Sequence, residues 1–377
     1  MFWGIFIIIM ILIYLSRVRR PTLFTSNKNI KQIALRYIFP MIILNSGIIQ
    51  SAIQHLFFIY ILSGTIKTII KLKTNDGGNI IVEKFENKTF SKYYSSKYKL
   101  IKVICEFLYR LLGWYNGRKS IMNKSKKKDT NIIVLHGLNG SSDSKYVIHT
   151  TNLFLRKGCR VFCLNARGMK CEFKGVGFTH FGHTEDLKSL TNYILTNYAG
   201  EIFYVGFSQG ANICTKFMGE FKNNRIKGGV SVCNPFNLLK IQDIINSGSF
   251  INKVGHWIVY INFKMYLEQI LKEKIQAESF NELFQILIDK KILLYNSVDE
   301  FLIANSSEFY IEHIDKPWLF INADDDPVVP VEIIPKETIF DNENTGLITL
   351  QGGHLGFKSF FMTSTLYSII DEFYGLL

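Results

Sequence analysis

The sequence predicts an α/β protein in which helices flank a mostly parallel central sheet. Two features carry that expectation. From about residue 76 onward, short apolar runs rich in β-branched residues alternate with helical segments, the pattern of right-handed βαβ units. Between about Phe236 and Glu312 the strand signal stops and helical periodicity continues for longer than one crossover needs, so a helical cap insertion at about 236–312 is expected.

The elements follow in order. Residues 1–15, MFWGIFIIIMILIYL, are uncharged and almost wholly apolar, and Arg17, Arg19 and Arg20 follow at once. A helix of that run spans roughly 22 Å, so it crosses a ~30 Å hydrocarbon core only with help from Ser16 and the arginine stems. No basic residue precedes the run and no small-residue cleavage site follows it, so residues 1–20 read as an uncleaved, single-pass N-terminal anchor rather than a signal peptide. The positive flank on its C-terminal side places the main domain in the cytosol. Residues 21–75 form a hydrophobic entry segment. Its Tyr37–Leu62 stretch is interrupted by Pro40, Asn45, Gln50, Gln54 and His55, which favours interfacial or packed helical turns over a second span.

The main domain, 76–377, opens on the turn Asp76-Gly77-Gly78 and the strand IIVEKF. Strands are expected at NIIVLH (131–136), VFCLN (161–165), IFYV (202–205), GGVSVC (228–233), PWLFIN (317–322) and LITL (347–350). Helices are expected near 144–157, from Thr184 as N-cap to about Tyr198, over 209–221, and from about Lys358 to Tyr374. RKSIMNKSKKK (118–128) reads as a solvated basic loop.

Of the 377 residues 47% are hydrophobic and 20% charged, which excludes global disorder. The net charge of +13 favours anionic surfaces in general, but the high Asn, Lys and Ile content discounts it as evidence for a partner, and no nucleic-acid motif accompanies the basic loop. A membrane is the expected partner on the strength of residues 1–20. Cys105, Cys159, Cys163, Cys171, Cys214 and Cys233 contain no C-x-x-C pair and no zinc-spaced cluster, so reduced thiols and no metal or cofactor are expected.

YVGFSQG (204–210) carries G-x-S-x-G between an expected strand and an expected helix. A serine nucleophile needs such a corner, because the turn thrusts its hydroxyl out and the flanking glycines let strand and helix close around it. Ser208 is therefore the candidate nucleophile. A hydroxyl also needs a base steered by a carboxylate. His354, flanked by glycines in QGGHLGF, is the candidate base. The run Asp324-Asp325-Asp326 offers the acid, with Asp326, before the rigid Pro327, preferred over Asp325. HGLNGSS (136–142) follows the first strong core strand, and the backbone N–H groups of Leu138 and Gln209 are the candidate oxyanion donors. His136 precedes the serine and lacks an acid partner in this order. Arg167 of NARGM reads as structural.

HGLNGSSDSKY, NARGMK, HTEDL, GFSQGANICTKFMGE, NPFNL, INADDDPVVP and GGHLGF, in that order, resemble the embryogenesis-associated branch of the α/β-hydrolase superfamily. That group holds membrane-anchored abhydrolase-domain lipases and their bacterial relatives. Gln209 departs from the leucine common there, and Asp324 lengthens the acidic run by one residue. The resemblance implies an α/β-hydrolase fold, Ser208, Asp326 and His354 as catalytic triad, and an acyl-ester substrate, often a glycerolipid or phospholipid. The expected function is a serine ester hydrolase working through an acyl-enzyme. An acyltransferase with an alcohol acceptor, and a catalytically silent membrane-bound interaction protein, are the alternatives. The aromatic cap residues Phe250, Trp257, Tyr260, Phe263 and Tyr266 suit an acyl channel or a packed cap core equally. Oligomeric state is left open.

Overall fold

A computed structural model describes residues 21–33, 61, 64–87, 129–170, 177–247, 250–357 and 365–377, and in it the apolar runs covered on both faces form the central strands. Nine strands form one sheet: β1 (Thr22–Phe24), β2 (Thr65–Lys73), β3 (Asn79–Asn87), β4 (Thr130–Leu135), β5 (Arg160–Asn165), β6 (Glu201–Phe207), β7 (Ile226–Val232), β8 (Trp318–Ala323) and β9 (Thr345–Leu350). Their order is β1-β9-β8-β7-β6-β4-β5-β3-β2. The block from β9 to β5 is parallel throughout, whereas β3, β2 and β1 run antiparallel to their neighbours.

Helices α1 (Lys145–Arg156), α2 (Glu185–Asn197), α3 (Gln209–Glu220), α8 (Lys336–Asp341) and α9 (Thr365–Leu376) accompany the sheet. Between β7 and β8 come α4 (Leu238–Ser247), α5 (Phe250–Leu271), α6 (Phe280–Asp289) and α7 (Val298–Ala304), then a 3-10 segment, Ser307–His313. The pleat sorts side chains into two layers. Ile132 and Val134 of β4 join Phe154 of α1 and Phe373 of α9, whereas Ile133 and Leu135 join Leu190 of α2 and Phe217 of α3.

The helices between β7 and β8 bury a core of their own, in which Tyr260, Phe263, Tyr266, Phe284 and Phe301 pack together. Of the five aromatics suited to a channel or a core, Tyr260, Phe263 and Tyr266 are therefore core. Phe250 and Trp257 face outward, 81% and 63% exposed. Local signals start two of these helices. Ser279 accepts a hydrogen bond from Glu282 N (3.2 Å) and Ser297 one from Glu300 N (3.1 Å), each an N-cap with glutamate three residues on.

Two features differ from the sequence reading. The entry segment, 21–75, does not stand apart from the main domain. Thr22–Phe24 pairs with β9, and Thr65–Lys73 pairs along its full length with β3. Both lie at the edges of the sheet, where one-sided burial leaves residues such as Ile69 exposed and weakens the apolar signal. Thr184 occupies the N-cap position of α2 but does not cap it. Its φ of −86° and ψ of −14° are helical rather than extended, so its hydroxyl bonds Glu220 Oε2 (2.8 Å) instead. The closing helix covers Thr365–Leu376, and its expected start at Lys358 lies outside the described residues. The expected anchor at 1–20, most of Tyr37–Leu62, the basic loop at 118–128, Cys105 and Cys171 lie outside the described residues. Among the described residues no helix is long and apolar enough to cross a membrane.

Candidate active site

Strand β6 ends at Phe207 and α3 begins at Gln209, which leaves Ser208 at the corner between them. Its φ of 52° and ψ of −116° are strained for an L residue, and its N–H donates to Val232 O (2.8 Å) to hold the turn. The corner closes only over glycine. A Cβ on Gly206 would lie 2.4 Å from Gly210 O, and one on Gly210 would lie 2.5 Å from His136 O. These are clashes with backbone, which cannot step aside.

The loop after β8 supplies two carboxylates with different work. Asp326 Oδ1 accepts from Val328 N (2.8 Å) and Val329 N (3.0 Å), skipping Pro327, which has no N–H to give. Asp325 Oδ1 accepts from Gly352 N and Gly353 N, both at 2.8 Å, and so clamps the loop after β9 that carries His354. His354 Nδ1 lies 2.8 Å from Asp326 Oδ2 and 3.1 Å from Oδ1, and its Nε2 lies 2.9 Å from Ser208 Oγ. Ser208, His354 and Asp326 thus form one hydrogen-bonded line from the ends of three strands. The Asp326 side chain has no exposed surface and that of His354 is 14% exposed, so little water competes for either bond.

The loop after β4 faces the same corner. Gly137 N donates to Tyr146 Oη (3.0 Å), which withdraws that N–H from any oxyanion. Among the described residues, neither Leu138 N nor Gln209 N has a protein acceptor, and Gln209 N sits at the start of α3, where the helix dipole favours negative charge. His136 is fully committed elsewhere. Its Nδ1 lies 2.7 Å from Gly137 O and its Nε2 accepts from Ala166 N (3.0 Å), which fixes a neutral tautomer.

Sequence reasoning missed Tyr146, the clamping role of Asp325, Cys233 and His256. Cys233 Sγ accepts from Leu355 N (3.4 Å), just past His354. Potential ligand atoms of Cys233, Asp326 and His354 lie within 4.8 Å of one another. Burial, reinforced by the neighbouring Asp326 carboxylate, pushes the thiol well above its ordinary range. A neutral S–H is a poor metal ligand, and the other two groups already bond each other, so the donor set suits a proton relay better than a cation. His256 arrives from α5, buried, with Nε2 lacking a hydrogen-bond partner.

Helix α5 roofs this rim. The Gly255 backbone packs so closely on Pro327 of the acid loop that a Cβ there would lie 2.5 Å from Pro327 O. Asn262 Oδ1 lies 3.5 Å from Asn139 Nδ2 of the loop after β4, and Tyr266 Oη donates to Arg167 O (3.0 Å) of the loop after β5.

Two tests follow from these bonds. Asp325→Ala should lower turnover through a loosened His354 loop and cost about 1.5–3 kcal/mol of stability, the worth of hydrogen bonds to a charged acceptor; paired kinetics and urea melts measure it. Burial pushes both His136 and His256 down to about 4, whereas an unfolded histidine titrates near 6.5. The unfolded chain therefore binds more protons between those values. Stability should fall as pH drops from about 6.5 toward 4, by about 1.4 kcal/mol per pH unit for each group. Urea melts across that window check the slope, which His256→Leu should reduce.

Residues 130–250 match the model of a family described as having the alpha/beta hydrolase fold. Abhydrolase domain-containing protein 2 of Drosophila melanogaster is 30% identical over 257 residues, covering 62% of this chain and 64% of that protein. Monoacylglycerol lipase of Saccharomyces cerevisiae is 29% identical over 273 residues, covering 66% of this chain and 59% of that protein. The chain thus spans less than two thirds of the length of these curated relatives. Among solved structures, the Pyrococcus furiosus esterase Pf2001 superposes with a TM-score of 0.50 at 16% identity, covering 82% of this chain and 92% of that one, a likeness of fold alone. Strand order and elbow agree with these likenesses: residues 130–250 match the alpha/beta hydrolase fold, and the chain is similar to abhydrolase-domain and embryogenesis-associated proteins.

Proposed function

We propose that this chain is a serine hydrolase of acyl esters, with lipid esters at a membrane surface as its substrates. The observation that carries the reading is the unbroken line of hydrogen bonds from Asp326 through His354 to Ser208. With Nδ1–H donated to the buried carboxylate, His354 Nε2 presents its lone pair to the serine hydroxyl. As Oγ attacks the ester carbonyl, its proton passes to Nε2, and the carbonyl oxygen takes the negative charge opposite the Leu138 and Gln209 N–H groups. The tetrahedral intermediate collapses, the alcohol leaves with the proton from Nε2, and the acyl group stays on Ser208. Water then repeats the sequence, giving its proton to Nε2 and releasing the fatty acid and the free serine.

The lipid part of the reading is supported by a relative named as a monoacylglycerol lipase and by the apolar residues 1–15 with their arginine flank. As a single-pass anchor, that segment holds the domain on the cytosolic face and raises its effective concentration near insoluble esters. A fluorophosphonate probe tests the chemistry most directly. The full chain should label covalently and Ser208→Ala should not. Absence of labelling in the folded wild type would favour a silent interaction protein. A product that is ester rather than acid when an alcohol is added would favour acyl transfer.

A further inference from the structure

Helix α5 carries apolar residues on two faces, and apolar helix faces are normally covered by protein or by lipid. This one is enclosed on one side only. Its inner face, Tyr260, Phe263, Tyr266, Leu267 and Ile270, forms the cap core. Its outer face carries Phe250, Val254, Trp257, Ile258 and Met265, which fall within an arc of about 100° at 3.6 residues per turn, while Ile261 on the same arc packs against the cap core. Phe250 is 81% exposed, Trp257 63%, Met265 59% and Ile258 49%. Isolated surface hydrophobics are ordinary, but a stripe over about four turns marks an interaction surface.

The structure assigns this stripe to the membrane: we propose that the outer face of α5 lies in the interfacial layer of an anionic bilayer and delivers the candidate active site to ester lipids there. The inference rests on the proposed lipid-ester chemistry and specifies how the substrate is reached. Three observations favour lipid over a protein partner. The stripe joins tryptophan, phenylalanine and aliphatic residues, the composition of interfacial helices. Exposed Lys253 borders it, while Glu268, in line with the stripe, is paired with exposed Lys274 (2.8 Å). That leaves positive charge around an apolar centre, on a chain of net charge +13. Finally, α5 touches the loops after β4, β5 and β8, so a surface seated on its outer face lies across the rim that holds Ser208. The helix does not meet the requirements of a span, which fits lying in the interface rather than crossing it.

The test separates docking from chemistry. The full chain carrying Ser208→Ala is reconstituted into vesicles of phosphatidylcholine and phosphatidylserine with brominated acyl chains, and tryptophan quenching is compared with the same chain also carrying Trp257→Phe. A quenched component that disappears with Trp257→Phe is the expected result and requires no turnover. In the active chain, Trp257→Glu with Ile258→Glu should reduce hydrolysis of a bilayer-embedded ester by about tenfold while leaving a short soluble ester unchanged. The proposal is overturned if Trp257 is not quenched, or if the paired glutamates slow both esters equally. It is also overturned if they instead change the molecular mass in detergent, which would make the stripe an interface between two copies. Quenching without hydrolysis of any ester would leave docking standing and remove the proposed activity.

Discussion

Replacing Ser208 with alanine should lower kcat on a soluble ester by about 10⁴- to 10⁶-fold, the range set by other hydrogen-bonded serine nucleophiles. Alanine keeps the Cβ and the strained φ of 52°, so the corner is held as before and thermal unfolding should be nearly unchanged. What should survive is a small rate above water, supplied by the N–H groups at the start of α3 and after β4. Steady-state kinetics beside a thermal melt distinguishes loss of a nucleophile from loss of fold. Wild-type turnover in the folded variant would remove Ser208 from the mechanism.

The largest expected stability effect lies away from the serine. Arg167 is 1% exposed, and its guanidinium meets Asp186 (2.6 Å) and Asp76 (2.8 Å) while also reaching Thr74 Oγ1 (3.2 Å). Burial alone would raise the Asp186 pKa, but hydrogen bonds and charge from His183 and Arg167 outweigh it and hold the carboxyl below its ordinary value. Arg167→Met should strand that carboxylate and cost about 3–5 kcal/mol, read as a fall in the urea midpoint. Adding Asp186→Leu should recover much of the loss, because removing both partners removes the unpaired charge. The pH signature has a definite sign. A carboxyl depressed in the folded state contributes stability that is fully present above its unfolded value, 3.8 for Asp186, and is lost as pH falls through the lower folded value. The difference between wild type and Arg167→Met should therefore shrink in strong acid.

The parallel sheet was legible because its strands are buried on both faces and read as unbroken apolar runs, as in NIIVLH and PWLFIN. Ser208 and His354 stood out because glycines bracket them for steric reasons that the sequence displays directly. The division of labour between Asp325 and Asp326 was harder to read. Both precede Pro327 closely, and only folding shows one collecting the Val328 and Val329 N–H groups beside the imidazole while the other gathers Gly352 and Gly353. Backbone donors, the hydroxyl of Tyr146 and the thiol of Cys233 leave no pattern in sequence, because their contacts join segments far apart. The three-residue strand β1 carries no periodicity of its own and exists through its partner.

That short strand has a consequence for anyone trimming the chain to improve handling. Thr22–Phe24 covers the outer side of β9, and Thr25, Ser26 and Asn27 fasten it to Thr345, Phe340 and Glu343. Ile30 and Ile33 then plug the core beneath. Cutting beyond this stretch to discard the oily leader would bare a row of unsatisfied peptide groups on a strand wholly made of core residues, a ready template for filament growth. The safe place to shorten the molecule is before residue 21.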